Sequence, residues 1–199
     1  MSRTLASAVE LRTERLLLRR WRPSDRDPFA RLNADPEVTR FLLGPLTRDQ
    51  SDASVDRIEE QFDQRGFGPW AIEVPGLVPF AGYVGLSVPN FEAHFTPAVE
   101  VGWRLGQPFW GRGYATEAAV AAIADGFERI GLEEIVSFTI PVNLPSIRVM
   151  KRLGMTRLPE DDFDHPGVPL GHPYRRHVLY RLPAPATSST ELGPASPGP

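Results

Sequence analysis

Trp110-Gly111-Arg112-Gly113-Tyr114-Ala115-Thr116-Glu117-Ala118 is the stretch on which the reading of the fold turns. Two glycines one residue apart make a tight turn, and the alanine-rich run behind it predicts a helix from about Tyr114 to Ile130, ended by Gly131. The first N–H groups of such a helix lack internal partners and its dipole is positive there. The turn therefore suits an anion, a diphosphate above all. Taken alone it leaves three readings open. A nucleoside-triphosphate loop needs Gly, four residues, then Gly-Lys-Ser/Thr, and no such string occurs. A dinucleotide loop needs a third glycine that is missing, although Glu133 and Glu134 stand about twenty positions on. A plain strand-to-helix turn needs nothing more.

Working outward, Arg15 to Trp21 predicts a first strand, Ser24 after Pro23 a helix start, and Asp35-Pro36 a short turn. Val55, Ile58 and Phe62 share one helical face within a helix expected over 52–65 and stopped by Gly66. Strands are expected at 70–74, 81–88 and 98–105, then at 135–140 and 177–182, with a short helix over 145–153 closed by Gly154. Three successive strands in the middle point to an α+β plan with a mostly antiparallel sheet, not a strict βαβ alternation. Residues 1–10 read as frayed, 11–182 as one domain, and the Pro/Ser/Thr-rich tail 183–199 as disordered.

At 199 residues, with 41% hydrophobic and 24% charged, the chain suits one buried core. A net charge of −3 gives no broad footprint for nucleic acid. The absence of cysteine excludes disulfides, thiolate catalysis and Cys-based metal sites. The four histidines show no ligand-like pairing, so no metal is expected. No run approaches the length of a membrane span and no leader-like segment is seen, so a cytoplasmic protein is expected.

The turn has company. Glu100-Val101-Gly102-Trp103-Arg104-Leu105 precedes it, and Asn143-Leu144-Pro145-Ser146 opens a helix ending in Lys151-Arg152-Leu153-Gly154. In this order the pieces resemble the GNAT superfamily of acyl-CoA N-acyltransferases, in its RimJ/RimL-like branch, over about Arg12 to Leu182. Glu14 to Arg19 and Asp35-Pro36-Glu37-Val38 support the likeness. It implies a twisted, mostly antiparallel sheet flanked by helices, splayed between its fourth and fifth strands. It also implies acetyl-CoA as co-substrate and an amine as acceptor.

Residue by residue, the resemblance implies that the pantetheine arm lies along Trp103, Arg104 and Leu105. The diphosphate would sit on the N–H groups of Gly111, Arg112, Gly113, Tyr114, Ala115 and Thr116, with Arg112 adding charge. Asn143 would bond the pantetheine amides; its plainer role is a helix cap. The position where many relatives carry Tyr holds Met150, so the resemblance implies either Ser146 as proton donor to the leaving thiolate or no dedicated acid. Glu100 is the leading general base, with an ordinary strand carboxylate as the plainer reading. The acidic stretch Glu160 to His165 is a second source of base. Trp21, Phe41, Phe67, Trp70, Phe91, Phe95, Phe109 and Tyr174 are candidate acceptor walls, most of them better explained as core. The loops 89–97, with His94, and 159–173 are candidate acceptor rims.

The resulting expectation is an acetyl-CoA-dependent N-acetyltransferase acting on a protein N-terminal amine of the ribosomal-protein type. A small-molecule amine is the alternative within the enzyme class, and a catalytically weak acyl-CoA-binding domain the alternative outside it. Nucleic acid and membrane are not expected as partners; a homodimer is compatible with the sequence.

Overall fold

The strand-forming segments join one sheet in a computed structural model that describes residues 10–186. Residues 1–9 and most of the expected tail lie outside the described residues. The strands are β1 (Leu11–Arg12), β2 (Leu17–Arg19), β3 (Pro69–Val74), β4 (Val78–Ser87), β5 (Glu100–Leu105), β6 (Glu134–Thr139), β7 (Phe163–Asp164) and β8 (Arg176–Pro183). Their order is β1-β2-β3-β4-β5-β6-β8-β7, and every neighbouring pair is antiparallel except β5 with β6. The helices are α1 (Arg26–Ala34), α2 (Pro36–Thr39), α3 (Arg48–Arg65), α4 (Tyr114–Asp125) and α5 (Leu144–Arg152).

Departures from the sequence reading have local causes. The first strand shrinks to β2 because Thr13 and Leu16 close a turn ahead of it, while Arg20 leaves the sheet for Glu59 on α3. Helix α3 starts four residues before the expected Asp52, since Thr47 and Gln50 form a reciprocal capping box. Helix α4 ends at Asp125 and continues as a π turn over Gly126–Ile130 before Gly131. A Cβ at Gly126 would lie 2.9 Å from Leu86 Cδ1 and 3.0 Å from Ile135 Cδ1, so a side chain here would displace those buried tips, and glycine lets the turn rest on β4 and β6 without that shift. Strand β8 reaches Pro183, and the Ala184 N–H donates to the Glu133 carbonyl.

Ala118, Ala119 and Ala122 of α4 are fully buried in a core with Trp70, Val84, Leu86, Val101 and Ile135. Short side chains bring the helix close to the sheet. Phe95, Val136, Phe163 and Leu179 form a second cluster around β6 and β8, backed by Phe91 and Phe138. Arg19 is 1% exposed and carries a full set of partners: Asp25, Glu73 and the Pro79 carbonyl. It ties β2 to β3 and to the turn before α1, and losing a carboxylate partner would leave a buried charge unpaired.

The pairing of β5 with β6 positions the site. β5 and β6 share a single register pair, Glu100 with Val136, and a bond from the Val136 N–H to the Val99 carbonyl. Beyond it they part. This is the splay expected between the fourth and fifth strands, renumbered because β1 joins the edge of the sheet.

Candidate active site

The parting of β5 and β6 opens a cavity of about 610 Å³, walled by the start of α4, the first turns of α5 and the segment after α2. The Gly turn forms one end. The Trp110 indole N–H donates to the Leu105 carbonyl at 2.7 Å, pinning the turn to the end of β5. Gly111 and Gly113 have φ of 71° and 82°, a conformation that side chains with a Cβ rarely adopt. The Glu117 N–H makes the first helical bond, to the Gly113 carbonyl. The six N–H groups from Gly111 to Thr116 have no backbone acceptor among the described residues. They form a ready anion cradle at a helix N-terminus.

The cradle is braced from behind. Arg15 donates to Glu117 through its backbone N–H (2.9 Å) and Nε (2.7 Å), and its Nη1 donates to the Arg112 carbonyl at 3.0 Å. Thr13 Oγ1 also donates to Glu117. Burial pushes the Glu117 carboxyl up, but the bonds from Thr13 and Arg15 outweigh it and hold the group below the usual carboxylate range. Glu117 is thus an ionised anchor that fixes the turn against the β1–β2 corner.

Across the cavity, Asn143 caps α5: its Oδ1 accepts the Ser146 N–H at 3.4 Å, and its Nδ2 donates to Thr139 Oγ1 at 2.9 Å. The Ser146 hydroxyl makes no hydrogen bond among the described residues and lines the cavity. Met150 lines it too, 1% exposed, and has no proton to give.

On β5, backbone groups alternate between the two neighbouring strands. Val99 bonds β6 and Gly106 bonds Ala81 of β4, so Val101, Trp103 and Leu105 turn their backbone groups toward β6; Val101 lies at the Glu100–Val136 pairing and the Leu105 carbonyl holds the Trp110 indole, which leaves Trp103 on the open gap. Glu100 and Arg104, flanking Gly102, line a second cleft of about 450 Å³ between β4, β5, α1 and α3, and these three residues with Tyr83 border the first cavity as well. Glu100 borders both spaces, yet its side chain makes no hydrogen bond or ion pair among the described residues. Desolvation alone pushes its carboxyl up to about 8.

An Acetyltransferase (GNAT) domain model matches residues 15–156. The chain belongs to the GNAT acetyltransferase family. It is 29% identical to the FsC-acetyl coenzyme A-N(2)-transacetylase of Aspergillus fumigatus over 96% of this chain and 87% of the relative. A crystal structure of an acetyltransferase from Agrobacterium tumefaciens is 29% identical with a TM-score of 0.72, covering 92% of this chain and 98% of that one. RimL, a ribosomal-protein alpha-N-acetyltransferase solved in complex with coenzyme A, shares the fold at a TM-score of 0.70 and 18% identity, over 88% of this chain and 98% of that one. The chain is therefore an N-acetyltransferase, of a family that uses acetyl-CoA.

Within this GNAT site most of the expected residues converge. Glu100, Trp103, Leu105, Gly111, Gly113, Tyr114, Ala115, Thr116, Asn143 and Ser146 all line the first cavity. Two differ from expectation in orientation. Arg104 bonds β4 through its backbone, so its guanidinium rather than its main chain faces the open space. The Arg112 Nε donates to the Pro108 carbonyl on the outer side of the turn. The acidic stretch lies elsewhere: Asp161 pairs with Arg181, Asp162 with Arg157, and Asp164 with Arg175 and Arg176. None of its carboxylates lines either space. Of the candidate aromatic walls, Phe41 and Phe109 line the cavity, whereas Trp21, Phe67, Trp70 and Phe95 are core. Loop 89–97 touches the second cleft only at Asn90 and otherwise packs through Phe91 and Phe95 on Phe138 and Phe163.

Sequence reasoning missed the α1–α3 wall. Buried Asn33 donates to Ser51 and accepts from Arg104 at 2.6 Å. The signal was there: Phe29, Leu32 and Asn33 share one helical face, and an amide on an apolar stripe needs a partner.

Proposed function

We propose that this chain moves the acetyl group of acetyl-CoA to an α-amine of the N-terminal type, with Glu100 as general base. Six N–H groups with no backbone acceptor among the described residues and a helix dipole suit the diphosphate, the edge of β5 past its pairing with β6, around Trp103, suits the pantetheine amides, and Asn143 stands opposite. The thioester then falls in the gap next to Glu100. The carboxylate takes a proton from the ammonium, the amine nitrogen bonds to the thioester carbon, and backbone N–H groups at the β5 edge receive the oxyanion. The C–S bond breaks as the second proton on the nitrogen passes, through the Ser146 hydroxyl or a water, to the departing thiolate, which leaves a neutral amide and a thiol, and Glu100 returns its proton to solvent. A thiol pKa near 8.5 makes this departure easy.

The observation that carries the reading is the unpartnered Glu100 carboxyl, pushed up to about 8 at the junction of the two spaces. An N-terminal α-amine titrates near 8, so donor and acceptor are matched, whereas a lysine near 10.4 is not. A small-molecule amine is a second reading, favoured by the volume of the acceptor cleft, about 450 Å³, which lies in the small-ligand range.

Thiol release from acetyl-CoA tests the proposal, with peptides offering either a free α-amine or a blocked N-terminus and one lysine. Faster turnover of the α-amine peptides supports it. Equal or faster acetylation of lysine overturns the α-amine assignment.

A further inference from the structure

The acceptor cleft has a charge pattern that the transfer chemistry does not require. Arg57 of α3 and Arg104 of β5 both line it, and neither pairs with a carboxylate among the described residues. Arg57 bonds only the Ser54 hydroxyl, at 2.9 Å. Arg104 is held by Asn33 Oδ1 at 2.6 Å and rests over the Tyr83 ring at 5.6 Å, which aims its guanidinium and leaves further donors free. The other arginines of this wall are spent: Arg20 is bonded to Glu59 and Asp63, Arg26 to Asp56, and Arg48 to Asp27 and Asp52. Glu100 is the only acid lining the cleft among the described residues. Gly102 lies between Glu100 and Arg104 on the same strand face, and a Cβ there would meet only Glu100 Oε1, at 3.8 Å. A clear channel thus joins the carboxyl to the guanidinium, about 13 Å long from Cα to Cα for four extended residues.

Taking the proposed transfer reaction as given, we propose that the acceptor is a primary amine bearing a carboxylate. Arg104 receives that carboxylate, Arg57 reinforces the field at the mouth, and the amine meets Glu100 across Gly102. With a hydrogen bond of about 3 Å at each end, a span of this order fits an N-terminal amine and the acidic side chain of a neighbouring residue. It also fits an amino-dicarboxylate small molecule. A guanidinium with free parallel N–H groups recognises a carboxylate by two hydrogen bonds, which an amide does not match.

Paired acceptors test this: a C-terminally amidated tetrapeptide with glutamate or glutamine at its second position, and, as small molecules, the α-amide of glutamate against the α-amide of glutamine, so that only one member of each pair carries a carboxylate. Thiol release is measured with wild type, Arg104→Gln, Arg104→Lys and Arg57→Gln. We expect the acidic member of at least one pair to have a KM at least tenfold lower; the pair that shows it tells peptide from small molecule. In Arg104→Gln that ratio should fall to near one with kcat changed less than KM, and Arg104→Lys should restore part of it. Coenzyme A affinity, measured separately, reports whether Arg104→Gln folds. If it does not, Arg57→Gln on the exposed helix surface carries the test, with at least a threefold loss of preference expected. Equal KM values within both pairs for wild type overturn the inference while leaving the transfer reaction standing. If no acceptor is turned over, the transfer proposal fails. Calorimetric binding to the CoA-saturated protein then decides the acceptor question: tighter binding of an acidic member supports it, and equal binding overturns it.

Discussion

Glu100→Gln should abolish most of the activity and stabilise the protein, and the two effects have one cause. The substitution keeps shape and removes the ionisable group. General base catalysis contributes about 10²- to 10⁴-fold, so kcat should fall by that order at saturating acceptor. With its pKa pushed up to about 8, the wild-type carboxyl is about one-tenth ionised at pH 7 and half ionised at pH 8. Wild-type kcat should therefore climb about fivefold between those pH values, and the climb should vanish in the variant. The same burial penalises the folded state. The folded pKa exceeds the ordinary 4.5, so the contribution to stability is fully present below pH 4.5 and is lost as pH rises through 8. At pH 7 this amounts to about 3 kcal/mol as an upper bound, because the open cleft lets water screen the carboxylate. Thermal melts should show Glu100→Gln above wild type at pH 7, further above at pH 8.5, and level with it near pH 4. A variant with the wild-type rate profile would refute Glu100 as base. Parallel melting curves across pH would refute the desolvated carboxyl itself.

Other substitutions separate the remaining parts of the site. Gly113→Val places a branched side chain at φ 82° and crowds Arg15 Nη2, 3.3 Å from the Cβ position; calorimetry should show coenzyme A affinity down by at least tenfold. Arg15→Ala frees Glu117 and the Arg112 carbonyl, so KM for acetyl-CoA should rise severalfold with kcat less affected in steady-state kinetics. Ser146→Ala should lower kcat by less than tenfold, since a thiolate is a fair leaving group without assistance. Asn143→Ala removes the cap of α5 and should cost about 1 kcal/mol in denaturant unfolding, with weaker coenzyme A binding in the same preparation.

Much of this site was legible because it depends on backbone. The Gly111 and Gly113 spacing, the alanine run and the Asn143-x-x-Ser146 helix start are local signals, and each produced the expected element. Glu100 was legible as a residue but not as a chemical state: its raised pKa comes from the protein packed around it, and no neighbour in sequence supplies that burial. Orientation was the harder problem. Strand alternation sends the Arg104 main chain to β4 and its side chain to the second cleft, a parity that depends on where β5 pairs. The acidic run 160–165 looked like a source of base because its partners, Arg157, Arg175, Arg176 and Arg181, include residues up to about twenty positions away. The Arg15–Glu117 brace spans 102 residues and had no sequence signal beyond two opposite charges.

The position of the bound thioester decides the role of Glu100. A crystal structure with acetyl-CoA should place the diphosphate on the N–H groups of Gly111 to Thr116, the pantetheine along the gap-facing edge of β5, and the thioester carbon within one water of the Glu100 carboxyl. A thioester on the far side of β6 from Glu100, or a diphosphate away from the Gly turn, would contradict it.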